Sequence, residues 1–140
     1  VDATGDRTPV VIYDSRLESG TTGQVSAGQD LQAAIAQWRR DWESRDSERY
    51  LAHYAEDFAA PGHDLASWRR HKTRVNGQKA YIRVQLSELS AFAYPGESGL
   101  ALVTFEQDYD SDNHRSQSSK QQFWRQGADG RWRIVYEGPA

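Results

Sequence analysis

Between Asn76 and Tyr81 the spacing of apolar residues changes from a period near 3.6 to a period of 2. A chain with helical repeats first and alternating repeats after builds helices packed on one face of an antiparallel sheet, an α+β fold. Upstream, Leu31, Ile35, Trp38 and Trp42 make one stripe of a helix predicted from Asp30, a good N-cap, to about Ser44. Asp46 or Ser47 opens a second, with Tyr50, Leu51 and Tyr54 as its apolar face and Phe58 beyond, until Ala59-Ala60-Pro61-Gly62 breaks it. A third is predicted from Asp64 towards Val75, carrying Leu65, Trp68, Lys72 and Val75 on one face and stopping at Asn76-Gly77.

Downstream the alternation predicts four strands. Tyr81 to Tyr94 reads as one strand, with Ile82, Val84 and Leu86 opposite Tyr81, Arg83 and Gln85. Pro95 to Gly99 is a turn, and Leu100 to Tyr109 follows with Ala101, Val103, Phe105, Gln107 and Tyr109 on one face. The polar turn Asp110 to His114 leads to a strand from Ser116 to Gln126, and Asp129-Gly130 is a short hairpin signal before Arg131 to Glu137.

A chain of 140 residues is expected to form one domain. Its hydrophobic fraction of 37 % and mean hydropathy of -0.86 leave a thin core, so the five Trp, seven Tyr and four Phe must fill it. Residues 1–29 differ: they are rich in Gly, Ser, Thr and Asp around one apolar island, Pro9 to Tyr13, and read as a tether with one short strand. The folded domain is then residues 30–140. The chain contains no Met, so it is expected to be a processed product or an excised fragment from which any signal peptide is already gone.

Several chemistries are excluded. A net charge of -3 argues against nucleic acid as a partner. No apolar run approaches the ~20 residues of a membrane span. The absence of Cys removes disulfides, thiolate catalysis and Cys-based zinc sites. The four His, at 53, 63, 71 and 114, lack metal-ligand spacing, and no Gly-rich phosphate loop precedes a helix, so no metal and no cofactor is expected.

Lys72 is the informative residue, because an ammonium in an apolar stripe is costly without a partner. Either its stem lies along apolar surface with the head in water, or it faces a wet pocket and meets an anion. Gln107 and Tyr109 continue the inward face of their strand as polar groups, the layout of a small-ligand site or of a hydrogen-bonded rim. Tyr54, Trp68 and Trp124 complete a candidate pocket with them, each equally at home in a core. His71 adjoins Lys72 but points about 100° away, outside that pocket. His63 and Asp64 form a base and carboxylate on paper, although Asp64 suits a helix cap and His63 a loop. His53 and Asp57, four apart, read as an exposed ion pair.

Four patterns carry a resemblance: Trp38 with Trp42; "YLAHYAEDF" from Tyr50 to Phe58; Trp68 through Lys72 to Arg74; and "VTFEQDYDSD" followed by "KQQFWRQGADGRWRIVYEG". In this order they resemble the nuclear-transport-factor-2-like (SnoaL-like) fold over about residues 30 to 138. The resemblance implies three N-terminal helices in the concave face of a curved, four-stranded antiparallel sheet, a cone-shaped cystatin-like roll. Phe105, Gln107, Tyr109 and Ser111, with Lys120 and Trp132-x-Ile134-x-x-Glu137, are most similar to the C-terminal pocket domain of bacterial L,D-transpeptidase-like and L,D-carboxypeptidase-like cell-envelope proteins.

That likeness implies a non-catalytic ligand-binding or interaction module in the periplasm or cell envelope, with a small anionic or peptidoglycan-like ligand. It also implies a homodimer through the open sheet face. The catalytic Cys of the transpeptidase domain is missing from the chain. The alternative implied by the same fold is a small-molecule isomerase, dehydratase or hydrolase with an acid-base residue in the cone. The place where such enzymes carry it holds Ala59-Ala60-Pro61-Gly62, which offers no titratable group.

Overall fold

The computed structural model describes residues 10–14, 25–94 and 99–140; the turn expected at Pro95 to Gly99 falls largely outside them. The order is β1 (Val10–Asp14), α1 (Val25–Ser44), α2 (Ser47–Leu51), β2 (Tyr54–Ala60), β3 (His63–Asp64), α3 (Leu65–Gly77), β4 (Ile82–Ala93), β5 (Leu100–Ser111), β6 (His114–Gln126) and β7 (Trp132–Pro139). Among the described residues, three helices and one sheet confirm the α+β class.

The sheet is not four-stranded. The antiparallel meander β4-β5-β6-β7 is present, but β1 is added beside β4 and β2 and β3 beside β7, giving among the described residues seven strands in the order β1-β4-β5-β6-β7-β2-β3. Because β2 runs parallel to β7, the sheet is mixed. The apolar island supplies β1, in register Val10↔Ala93 to Asp14↔Ser90.

The second correction concerns "YLAHYAEDF". Asp46 caps α2 as expected, its Oδ1 accepting from the Arg49 N–H at 3.2 Å, but the helix ends at Leu51. The Ile134 N–H then donates to the His53 carbonyl at 2.7 Å, and the chain enters β2. Tyr50, Tyr54 and Phe58 fit a helical stripe, yet all three are buried from two different elements. The free edge of β7 supplies a backbone partner that a single-sequence pattern does not contain, and it overrides the local period.

The first helix begins at Val25 rather than at Asp30. Ser26 and Gly28 read as linker, but one glycine costs only about 1 kcal/mol in a helix anchored by its packing. The stripe itself is as expected: Leu31, Ile35, Trp38 and Trp42 are all buried. Asp64 caps α3, accepting from the Ser67 N–H at 2.9 Å, while the Ser67 hydroxyl accepts from the Asp64 N–H at 3.1 Å. The helix runs through Gly77 to a right-handed C-cap at Gln78.

The inward face of β5 is Ala101, Val103, Phe105, Gln107 and Tyr109, all buried. Trp38 packs 6.1 Å from Phe105 and Trp42 packs 5.4 Å from Tyr109, seating α1 on that face. Trp68 of α3 lies 5.2 Å from Phe58 and 5.9 Å from Tyr54. Such ring pairs contribute roughly 0.5–1.5 kcal/mol each beyond burial, which is how a chain short of aliphatics holds a core. β4 is interrupted between Ser87 and Ser90, with Glu88 at φ 51°, so its inward positions shift from the even-numbered Ile82 and Val84 to Ala91, which pairs with inward Val103.

Where β1 no longer covers β4, α1 does. The Val84 N–H donates to Oε2 of Glu43 at 2.9 Å and its carbonyl accepts from Arg39 at 3.4 Å. Arg39 and Glu43 are also paired at 2.9 Å. Two side chains one helical turn apart thus stand in for a neighbouring strand.

His53 does not pair with Asp57. The segment between them is extended, so residues four apart do not meet. Asp57 binds Arg125 through two bonds of 2.8 and 3.0 Å, while His53 Nε2 lies 2.8 Å from Oδ2 of buried Asp41. Burial lowers the His53 pKa below its usual 6.5 and outweighs the opposing bond to Asp41. Burial raises Asp41, but the hydrogen bonds from His53 and Gln37 and the charges of His53 and Arg49 leave it below 3.8.

Two outcomes are expected. Glu43→Ala leaves the Val84 N–H without its acceptor and lowers stability by about 1–2 kcal/mol, read as a shifted urea midpoint with unchanged slope. For the buried pair, both folded pKa values lie below the unfolded ones, so the unfolded chain binds more protons. The His53 contribution is complete above 6.5 and lost as pH falls through the folded value, and that of Asp41 behaves likewise below 3.8. Unfolding free energy measured from about pH 7 to about pH 5 falls more steeply in wild type than in His53→Gln.

Candidate ligand-binding site

β7 carries the residue that organises the site. Trp132 and Ile134 face inward, and β7 then slips register against β6, since Phe123 pairs with Tyr136 but Trp124 pairs with Ile134. The extra residue, Val135, reverses the alternation. Glu137 is thereby turned into the core opposite Gln122 and is 3 % exposed.

A buried carboxylate demands donors, and the sequence supplies them. Oε1 accepts from the Gln122 amide at 2.9 Å and from the Tyr54 hydroxyl at 3.0 Å. Tyr54 in turn accepts from Trp38 Nε1 at 3.1 Å. Tyr54 spends its single proton on Glu137, so the 2.9 Å contact between the Tyr50 and Tyr54 hydroxyls is closed by the Tyr50 proton. Trp124 Nε1 donates to Gln122 Oε1 at 2.8 Å, fixing which way that amide is turned. Burial, reinforced by the charge of Glu137, lifts both tyrosines well above 10.0 and keeps them protonated donors.

In front of this network lies a cavity of about 480 Å³ between α3, β5, the β5–β6 turn and the end of β7. Its wall includes Lys72, Lys79, Lys120, His71, His114 and the single carboxylate Glu137, so it is cationic on balance. Lys120 Nζ stands 4.0 Å from Glu137 Oε2. Lys72 Nζ sits over two indoles, 5.1 Å from the centroid of Trp42 and 4.9 Å from that of Trp68. Burial pulls its pKa below 10.5, opposed by the charge of Glu137 and assisted by that of Lys120. Among the described residues no oxygen acceptor hydrogen-bonds this ammonium.

Of the six residues expected to line a pocket, Lys72, Gln107 and Tyr109 meet at this cavity. Tyr54, Trp68 and Trp124 stand behind it, Tyr54 and Trp124 in the Glu137 network and Trp68 against Lys72. His71, expected to point elsewhere, lines the same cavity. It stacks on His63 at 5.5 Å, and its Nδ1 lies 3.4 Å from Arg74. His63 bonds Ser67 through Nδ1 at 3.0 Å, and Asp64 is occupied as the cap of α3, so the two do not form a base and its orienting carboxylate. Glu137 was not foreseen as a site residue. Its signal was a carboxylate immediately after the run Ile134-Val135-Tyr136, out of step by one with the alternation of Trp132 and Ile134.

Opposite outcomes are expected for the two charges. Glu137→Ala strands Tyr54 and Gln122 and removes the counter-charge of Lys72, costing about 3 kcal/mol or more in chemical denaturation. Lys72→Met removes an ammonium without a hydrogen-bonded acceptor and is neutral or stabilising by up to about 1 kcal/mol.

The Cds6 C-terminal NTF2-like domain family matches residues 30–138. Among solved structures, Bd1075 of Bdellovibrio bacteriovorus aligns with a TM-score of 0.74 at 32 % identity, covering 84 % of this chain and 41 % of Bd1075. The helical cell shape determining protein Pgp2 from Campylobacter jejuni aligns at 0.74 and 19 % identity, over 86 % of this chain and 42 % of Pgp2. An NTF2-like protein from Pseudomonas putida gives 0.70 and 18 %, over 85 % and 87 %. The last two show the fold alone. This chain spans less than half of Bd1075 and of Pgp2. A search of curated proteins finds no match. A family match over most of the chain, on the helices and sheet described above, makes this protein a member of the Cds6 C-terminal NTF2-like domain family.

Proposed function

We propose that the domain is a non-catalytic carboxylate-binding module of a larger bacterial cell-envelope protein, taking a peptidoglycan-like or small anionic ligand, with the segment ahead of α1 as its tether. The observation that carries this reading is the Lys72 ammonium, held between two indoles at a cationic cavity with no oxygen acceptor among the described residues. An incoming carboxylate supplies that acceptor through a charge-assisted bond. The sequence likeness to Bd1075, and the fold shared with a protein named for determining helical cell shape, support an envelope setting and a periplasmic location. The acid-base alternative draws less support, because Glu137 Oε1 already accepts two hydrogen bonds and Asp57 is tied to Arg125.

A second reading, a homodimer through the outer sheet face, has its own observation. Phe92, Leu102, Phe123 and Tyr136 lie directly opposite one another across β4, β5, β6 and β7, and all are half-buried. Tyr136 folds down over Gly138, where an added Cβ would lie 2.3 Å from the tyrosine hydroxyl, so the glycine keeps this row low against the sheet. An in-register apolar row of this kind suits the centre of an interface.

Calorimetric titration of muropeptides is expected to show binding to wild type, weakened about 10- to 100-fold in Lys72→Ala. Identical null heats for both proteins would remove the carboxylate reading. Sedimentation at micromolar concentration is expected to give a dimer that Phe123→Glu dissociates; a wild-type monomer ends the second reading.

A further inference from the structure

Three nearly buried side chains at the same cavity lack hydrogen-bond partners among the described residues. They are Oε1 of Gln107, Nδ2 of Asn76 and Nε1 of Trp42. Gln107 is 6 % exposed, Asn76 1 % and Trp42 3 %. Folded proteins leave few such groups unpaired, because each costs about 1–3 kcal/mol. Three of them beside one cavity, next to an ammonium with no acceptor among the described residues, describe a ligand by its complement. It has a carboxylate for Lys72, and beside it both an N–H for the acceptor and an oxygen for the donors. The primary amides of Gln107 and Asn76 present one donor and one acceptor side whichever way they are turned.

We infer that the cavity recognises the carboxyl-terminal end of an acylated amino acid, a free carboxylate with its neighbouring amide, as in a peptide terminus. This rests on the carboxylate reading above and narrows it.

Competing monoanions and dianions fit less well. A phosphate monoester dianion offers acceptors only and leaves Gln107 Oε1 unpaired, and its second charge meets Glu137 in the same wall. A sugar acid gains from an aromatic face to stack on. The Trp42 and Trp68 rings hold Lys72, and their remaining ring contacts are Trp38, Tyr50 and Tyr109 for the first and Tyr54, Phe58 and His63 for the second. A free amino acid brings an ammonium to a wall with three lysines.

The test uses four small probes read by NMR shift perturbation: N-acetylalanine, its ester isostere O-acetyl-lactate, N-acetylalanine amide and free alanine. N-acetylalanine is expected to bind wild type about 10-fold more tightly than O-acetyl-lactate, which keeps the carboxylate and loses the N–H. The amide and free alanine are expected to be weaker still. Gln107→Met, a volume-conserving change, is expected to abolish the preference for N-acetylalanine over the ester, while Lys72→Met weakens both carboxylates alike. Equal binding of N-acetylalanine and its ester to wild type overturns the peptide-end inference and leaves carboxylate capture standing. Tighter binding of free alanine overturns it too. No response to any carboxylate overturns both readings. A discrimination that survives Gln107→Met, in a variant whose melting matches wild type, also refutes the inference.

Discussion

The buried carboxylate of Glu137 is the constraint around which the rest is arranged. An anion enclosed by a sheet and three helices survives only if donors converge on it, and here they come from β2, β6 and, through Tyr54, from α1 and α2. The network therefore ties every layer to one oxygen. It also sets the electrostatics of the cavity, since the same carboxylate opposes the burial of Lys72 and faces Lys120. Packing of the aromatic core and placement of the cations are two results of satisfying one charge.

Much of this was legible in the chain, for a common reason. The stripe of α1, the inward face of β5 and the cap at Asp64 are local patterns whose meaning does not depend on distant residues. What was hidden depended on a partner. Tyr54 to Ala60 follows a helical spacing until the edge of β7 offers hydrogen bonds. The island at Val10 was legible as a short strand, but not that β4 would be the edge to receive it. Glu137 was obscured by the added residue Val135, which an alternating count reads straight through.

The same holds for the candidate site. Lys72, Gln107 and Tyr109 stood out because each is polar in an apolar series, and all three reach the cavity. The aromatic members of that set, Tyr54, Trp68 and Trp124, are its support rather than its surface. Tyr54 and Trp124 orient Glu137 and Gln122, while Trp68 holds the ammonium from one side. A sequence reveals that a polar group lacks company more readily than it reveals which neighbour answers it, and His71 beside Lys72 illustrates the limit.

The stitching of Val84 by Arg39 and Glu43 reaches beyond this one strand. An open backbone edge is an invitation to any extended segment nearby, and a crowded compartment contains many. By filling the two hydrogen-bonding positions from its own helix, the molecule declines that invitation with charged groups that a passing chain would have to displace and strip of water. Pairing of a further strand is thus disfavoured at Val84, where neither glycine nor proline guards the edge.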